Sequence, residues 1–158
     1  MSPLLDHKEK IMLRRIFVLG VVVAAVIASG CASVPMASSE MDTAAKSFAV
    51  KPGKANIYVF RNESMGAALR MTLVMDGKLV GSTAAKTYVL LEVDPGNHIL
   101  ISKTENDSTL TVSTAAGRNY FVWQEVKMGA FSARSALQLV DEAKGKVGVA
   151  ECKLIQGM

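Results

Sequence analysis

Side chains able to do chemistry are few in this chain and widely spaced. There are two cysteines, Cys31 and Cys152, and two histidines, His7 and His98. A zinc site takes three or four Cys, His or carboxylate ligands. Beyond residue 31 only His98 and Cys152 offer nitrogen or sulfur, so no metal and no cofactor is expected. No GxGxxG and no GxxxxGK[ST] occurs to cradle a phosphate. A hydrolase needs a nucleophile, a base and an orienting group, and His98 is the one base candidate in the body of the chain. It follows the Asp94-Pro95-Gly96 turn directly, where a histidine bonded to neighbouring backbone is the simpler reading. Glu92 and Glu125 are the carboxylates to consider as an acid–base pair. Both fall on expected strands, where an acidic side chain ordinarily faces solvent. Cys152 reads as a small buried hydrophobe, with an intermolecular disulfide as the alternative. The expectation is therefore a protein that is not an enzyme.

Binding chemistry has more candidates. Tyr120, Phe121 and Trp123 share one short run, and aromatic faces stack on sugars and anchor interfaces. Core packing is the ordinary role of such residues in a strand, and the same holds for Met71 and Met75. Arg61 and Arg70 flank the segment Asn62 to Leu69 and are placed either to meet an acidic partner or to stand as solvated strand ends. Arg61, Arg70 and Trp123 are the residues singled out for ligand or partner contact.

The N-terminus carries a different message. Lys8, Lys10, Arg14 and Arg15 precede an uncharged apolar run from Ile16 to Ile27, followed by Ala28, Ser29, Gly30 and Cys31. This is the charged, apolar and small-residue order of an export signal. A spanning helix usually takes about 20 apolar residues, and this run is shorter. Ala28-Ser29-Gly30-Cys31 resembles a bacterial lipobox, with Ala28 where Leu is usual. The resemblance implies cleavage between Gly30 and Cys31 and lipid on Cys31. One acyl chain holds a protein only marginally, and two or three hold it firmly. Ala32 stands where lipoproteins retained in the inner membrane of Gram-negative bacteria tend to have Asp, so the resemblance favours the periplasmic face of the outer membrane. Either Met1 or Met12 serves as the start. An uncleaved signal anchor in the inner membrane is the competing reading.

Composition sets the remaining bounds. From Cys31 onward there are 14 Lys and Arg against 12 Asp and Glu, a net charge of +2. No basic run stands out, and nucleic-acid binding has no support. Residues 31–53 are rich in Ala and Ser and read as a tether, with Phe48 to Val50 able to pack on the domain beyond it. Residues 54–158 are one domain's length.

Within that domain the pattern is of strands. Ala55 to Arg61 is a β-branched and aromatic run. Leu69, Met71, Leu73 and Met75 alternate with polar or smaller neighbours, and Asp76-Gly77 is a two-residue hairpin signal returning through Lys78 to Ser82. Tyr88 to Val93, Asn97 to Lys103, Thr109 to Thr114 and Arg118 to Val126 come next, the last with Tyr120, Val122 and Gln124 on one side and Phe121 and Trp123 on the other. A final strand begins near Ser135. Asp141 is placed to cap a short C-terminal helix, with Val147, Cys152 and Leu154 as its apolar side, although Gly145 and Gly148 weigh against it. The sum is a mainly β chain, a single small antiparallel β-sandwich of about seven or eight strands.

Tyr58-Val59-Phe60-Arg61, Asp76-Gly77-Lys78 with Gly81, Val93 to His98, and Ala116 to Val122 occur in an order that resembles a family of uncharacterised bacterial lipoproteins carrying a domain of unknown function. That domain is similar to prealbumin-like and PEGA-type β-sandwich modules. The resemblance covers about Lys54 to Leu154 and implies a fold and a cell-envelope location without a catalytic residue. The expected protein is a lipid-anchored binding or scaffolding module whose partners are membrane lipid through Cys31 and another envelope protein or cell-wall material. An envelope enzyme with a cryptic site is the alternative, and the sequence leaves the oligomeric state open.

Overall fold

The computed structural model describes residues 33–129 and 133–157. The expected signal peptide, its cleavage point at Gly30 and Cys31 lie outside the described residues. In chain order the elements are helix α1 (Ser39–Ala45), strands β1 (Ala55–Arg61), β2 (Met71–Met75), β3 (Lys78–Thr83), β4 (Thr87–Val93), β5 (Gly96–Lys103), β6 (Asp107–Thr114), β7 (Asn119–Met128) and β8 (Ala133–Val140), helix α2 (Glu142–Ala150) and strand β9 (Lys153–Leu154). They form two sheets, ordered β8-β7-β1-β4-β9 and β3-β2-β5-β6. The β-sandwich and the short C-terminal helix are as expected.

β1 is the hinge of the architecture. All seven of its residues are buried, because its two faces are both covered. Ile57 and Val59 point between the sheets, where Val89, Leu91, Val122, Leu73, Leu100 and Val112 complete the core. Tyr58 and Phe60 point the other way, into a second cluster with Tyr88, Phe121, Val149 and Leu154. A near-continuous apolar run is what a strand covered on both faces requires. Burying each large side chain contributes about 1.5–3 kcal/mol.

Not every pairing is antiparallel. β1 pairs parallel with β7, Val59 opposite Val122, and β4 pairs parallel with β9 through Thr87 and Tyr88. The chain leaves the first sheet after β4, builds β5–β6 in the second and re-enters beside β1, and this crossover sets the direction of β7. The local turns behave as read. Asp76 and Gly77 both adopt positive φ, 50° and 77°, which matches the twist of the β2–β3 hairpin.

Two segments differ from expectation. Within the stretch read as a tether, residues between Met36 and Phe48 bond to and pack on the sandwich. Ser38 caps α1 by accepting a hydrogen bond from Met41 N. Tyr58 OH donates to Ala45 O at 2.8 Å and Tyr88 OH to Asp42 O at 3.3 Å, so tyrosines of the sheet hold the helix from below. Phe48 stacks edge-on against Tyr58 and Phe121. In α2, Asp141 is the cap, accepting from Lys144 N. The helix's buried face is not the expected apolar one: Val147 is 61% exposed, whereas Gly145, Gly148 and Val149 are buried. The two glycines let the helix backbone rest on the rings of Phe121 and Phe60. The strand begun near Ser135 is also not the last, since β9 comes after α2.

Candidate functional site

The three residues nominated for contact do not converge. Arg61, at the end of β1, is fully buried. Its Nη1 donates to Leu69 O at 2.9 Å, and its Nη2 to Met65 O at 3.0 Å and Gly66 O at 2.6 Å. Neither a partner-binding arginine nor a solvated strand end describes it: the guanidinium is the internal frame of the loop between β1 and β2. Burial lowers its pKa, opposed by the charge of Glu63. Arg70, at the far end of that loop, is exposed.

Trp123 sits on the helix side of the sheet, half-buried. It lines a groove of about 400 Å³ with Phe60, Asn62, Lys144 and Val147. Lys144 Nζ lies 4.6 Å above the centre of the indole ring, a cation–π arrangement. Among the described residues the indole Nε1 has no hydrogen-bond partner. Phe121, its neighbour, belongs wholly to the core.

The remaining chemical candidates are dispersed. His98 Nδ1 lies 2.7 Å from Asp76 Oδ2 and its Nε2 lies 2.8 Å from Asp94 O. Both neighbours are acceptors, an arrangement that favours the protonated ring, and the hydrogen bond to Asp76 raises its pKa above 6.5. Asp76 is lowered in turn, first by His98 and then by the hydrogen bond from Ile99 N. The pair fastens the β2–β3 turn to β5. Met71 and Leu73 are buried and Met75 packs on the core from its rim, so the methionine stripe is packing. Cys152 is buried against Arg61 O, with Sγ 3.5 Å away, and burial pushes its thiol up to about 12. Glu92 pairs with Lys51 at 2.9 Å, and Glu125 with Lys127 at 2.6 Å. Glu92 is level with Asn56, and Asn56 with Asn119. Glu125 lies about 20 Å further along β7, too far for the two carboxylates to act on one bond. Among the described residues no group of three or more His, Cys, Asp and Glu side chains could hold a metal ion.

One polar cluster escaped the sequence reading. Gln124 Nε2 donates to Ser102 Oγ at 2.6 Å, Ser135 Oγ donates to the same oxygen at 2.6 Å, and Thr83 Oγ1 donates to Gln124 Oε1. All four residues are buried. The signal was a glutamine on the Val122 side of β7, a polar residue at an inward position. The cluster links strands of both sheets and leaves no open face to a ligand. At the neighbouring edge, β8 is tied to β6: Ser135 N donates to Asn106 Oδ1 at 3.0 Å and Leu137 N to Ser108 Oγ at 2.9 Å.

The opposite edge receives the N-terminal segment. Ala37 N donates to Leu154 O at 3.0 Å and Gln156 N to Pro35 O at 2.9 Å, and Met36 forms an antiparallel bridge with Ile155. Val34 packs against the core between the sheets. Residues 35–37 therefore extend the β4–β9 side of its sheet.

Residues 51–136 match the model of a family described as "Protein of unknown function (DUF2846)". The chain is 32% identical over 147 residues to an uncharacterised protein of Haemophilus influenzae, covering 92% of this chain and 86% of that one. No solved structure matches significantly. The family match begins just before β1 and ends within β8, so it takes in β1 to β7 and the first half of β8: the chain belongs to the DUF2846 family of unknown function.

Proposed function

We propose that this protein is a lipid-anchored module of the bacterial cell envelope, held at the outer membrane's periplasmic face, that binds or scaffolds a partner without catalysing a reaction. The observation that carries the reading is a juxtaposition: the lipobox-like Ala28-Ser29-Gly30-Cys31 stands immediately before a folded β-sandwich whose sheet begins to take up the chain at Pro35. The basic flank and apolar run ahead of it support export. The likeness to prealbumin-like and PEGA-type modules belongs to this reading. So does a contact role for Trp123, whose groove beside Lys144 offers an apolar floor and a cation to another envelope protein or to cell-wall material. Tethering raises the local concentration of such a module at the membrane.

Metabolic labelling with a fatty-acid analogue tests it, comparing wild type with Cys31→Ala and then separating inner and outer membranes. The expected result is label on the wild type alone, in the outer-membrane fraction. Membrane-bound protein without label in either form would replace the lipid with an uncleaved signal anchor.

A further inference from the structure

The place where the chain enters the sandwich determines which side of it faces an anchor at Cys31. The backbone bonds of Pro35 and Ala37 to Gln156 and Leu154 pin the segment to β9. From Cys31 to Pro35 there are four Cα–Cα steps, which even fully extended span at most about 14 Å. The headgroup layer of a bilayer is itself about 5–7 Å deep. With lipid on Cys31, a leash of that length would keep the β9 edge of the domain close to the membrane.

The edge in question is shared by both sheets. β3 is the outer strand of the second sheet and packs beside β4, and a Cβ on Gly81 of β3 would stand 3.6 Å from Ile155 Cδ1. Val34, Pro35, Leu79, Arg70 and Ile155 line one shallow depression there. Met36 is 43% exposed and Leu79 is 52% exposed. Arg70 and Lys153, on the same edge, are exposed. Neither belongs to an ion pair among the described residues. Exposed apolar side chains flanked by long cationic ones suit an interface in which stems sit among lipid chains and charges reach phosphates.

We propose that the β3/β9 edge of the sandwich docks on the lipid surface, with Met36 and Leu79 in the headgroup region and Arg70 and Lys153 against lipid phosphates. The proposal rests on the reading of Cys31 as lipid-bearing. It makes the protein a module with a fixed orientation, presenting the β6/β8 edge and the Trp123 groove away from the bilayer contact.

The test uses full-length protein, processed in cells and reconstituted into vesicles of phosphatidylethanolamine and phosphatidylglycerol. The lipid blocks Cys31 and Cys152 is 2% exposed, so a thiol-reactive fluorophore reads one introduced cysteine. Leu79→Cys and Met36→Cys report on the docked edge. Leu139→Cys, at a β8 position 54% exposed, is the matched control on the other edge. Nitroxide-bearing lipid is expected to quench positions 79 and 36 several-fold more than position 139. Equal quenching at all three would overturn the orientation while leaving the lipid anchor standing. A label at 79 shielded from both nitroxide lipid and aqueous iodide would mean that protein covers this edge, and would overturn it too. Dye on Cys31 with protein absent from the vesicles would sink the lipid reading, and the docking with it.

Discussion

Gly148 of α2 lies flat on the ring of Phe60, so closely that a Cβ built on Gly148 would stand 2.1 Å from Phe60 Cε2. One turn earlier Gly145 meets Phe121 in the same way, at 2.1 Å from Cγ. Glycine costs about 1 kcal/mol relative to alanine inside a helix, and here the docking outweighs that cost. Gly148→Ala is expected to lose about 2 kcal/mol in a urea melt, because overpacking a tight contact costs about 1–3 kcal/mol. Val147→Ala, at the exposed position beside it, is expected to be neutral or slightly stabilising. A Gly148→Ala protein more stable than wild type would show that α2 does not rest on the sheet in this way.

Arg61 and Arg70 make a contrasting pair. Arg61→Met leaves three carbonyls of the β1–β2 loop without their donor, each buried unsatisfied group costing about 1–3 kcal/mol. The expected loss is about 3 kcal/mol or more, with earlier protease cleavage between Asn62 and Arg70. Arg70→Met, at an exposed side chain, should stay within about 0.5 kcal/mol of wild type. Equal, small effects at both positions would remove Arg61 from the framework of the loop.

The His98–Asp76 pair makes stability depend on pH in two directions. His98 titrates above its ordinary 6.5 in the folded protein, so its contribution is fully present below 6.5 and fades as pH rises through the higher folded value. Asp76 titrates below 3.8, so its contribution is present above 3.8 and fades as pH falls through the lower one. An NMR titration of His98 should have its midpoint above 6.5 in wild type and closer to it in Asp76→Asn. The same midpoint in both proteins would break the link between the two residues. Melting temperature should fall from neutral to mildly alkaline pH in wild type, with a weaker fall in His98→Gln.

Gln124 and Ser102 should be energetically coupled. Gln124→Leu leaves the buried hydroxyl groups of Thr83 and Ser102 short of a partner and is expected to cost about 2 kcal/mol. Adding Ser102→Ala should cost less than it does alone, since contacting residues are non-additive by about 0.5–3 kcal/mol. Strict additivity in the double-mutant cycle would show that the two side chains do not share a bond.

How much of the fold was legible in the sequence depends on how far apart the interacting residues lie. The Asp76-Gly77 turn is local, and its hairpin could be read from four neighbouring positions. The facing of Phe121 and Val122 needs only the period of a strand. The parallel match of Val59 with Val122 depends on a crossover between sheets, which no local pattern encodes. Arg61 sits at a strand end, where exposure is the ordinary case, and only the return of the loop 62–70 encloses it. The Ala- and Ser-rich stretch containing α1 has little apolar pattern of its own, and its order comes from the hydroxyl groups of Tyr58 and Tyr88. Helix propensity alone weighs against Gly145 and Gly148, whereas their meaning lies in the two phenylalanine rings beneath them. Of the contact candidates, Trp123 does face a groove, and Lys144 above its ring comes from a helix the aromatic run gives no hint of.

The clasp between the two ends of the domain has a mechanical side. A pull on the N-terminus is met first by Val34, packed on the core between the sheets, and by the backbone bonds of Pro35 and Ala37 with Gln156 and Leu154. Lys46 Nζ, bonded to Cys152 O at 2.7 Å, and Leu154 N, bonded to Asp42 Oδ1 at 2.9 Å, stand behind them. Tension is thus shared at once between the first and last segments of the fold, so the tail from Cys152 to Gln156 works as the catch that keeps a strained leash from peeling α1 off the sheet.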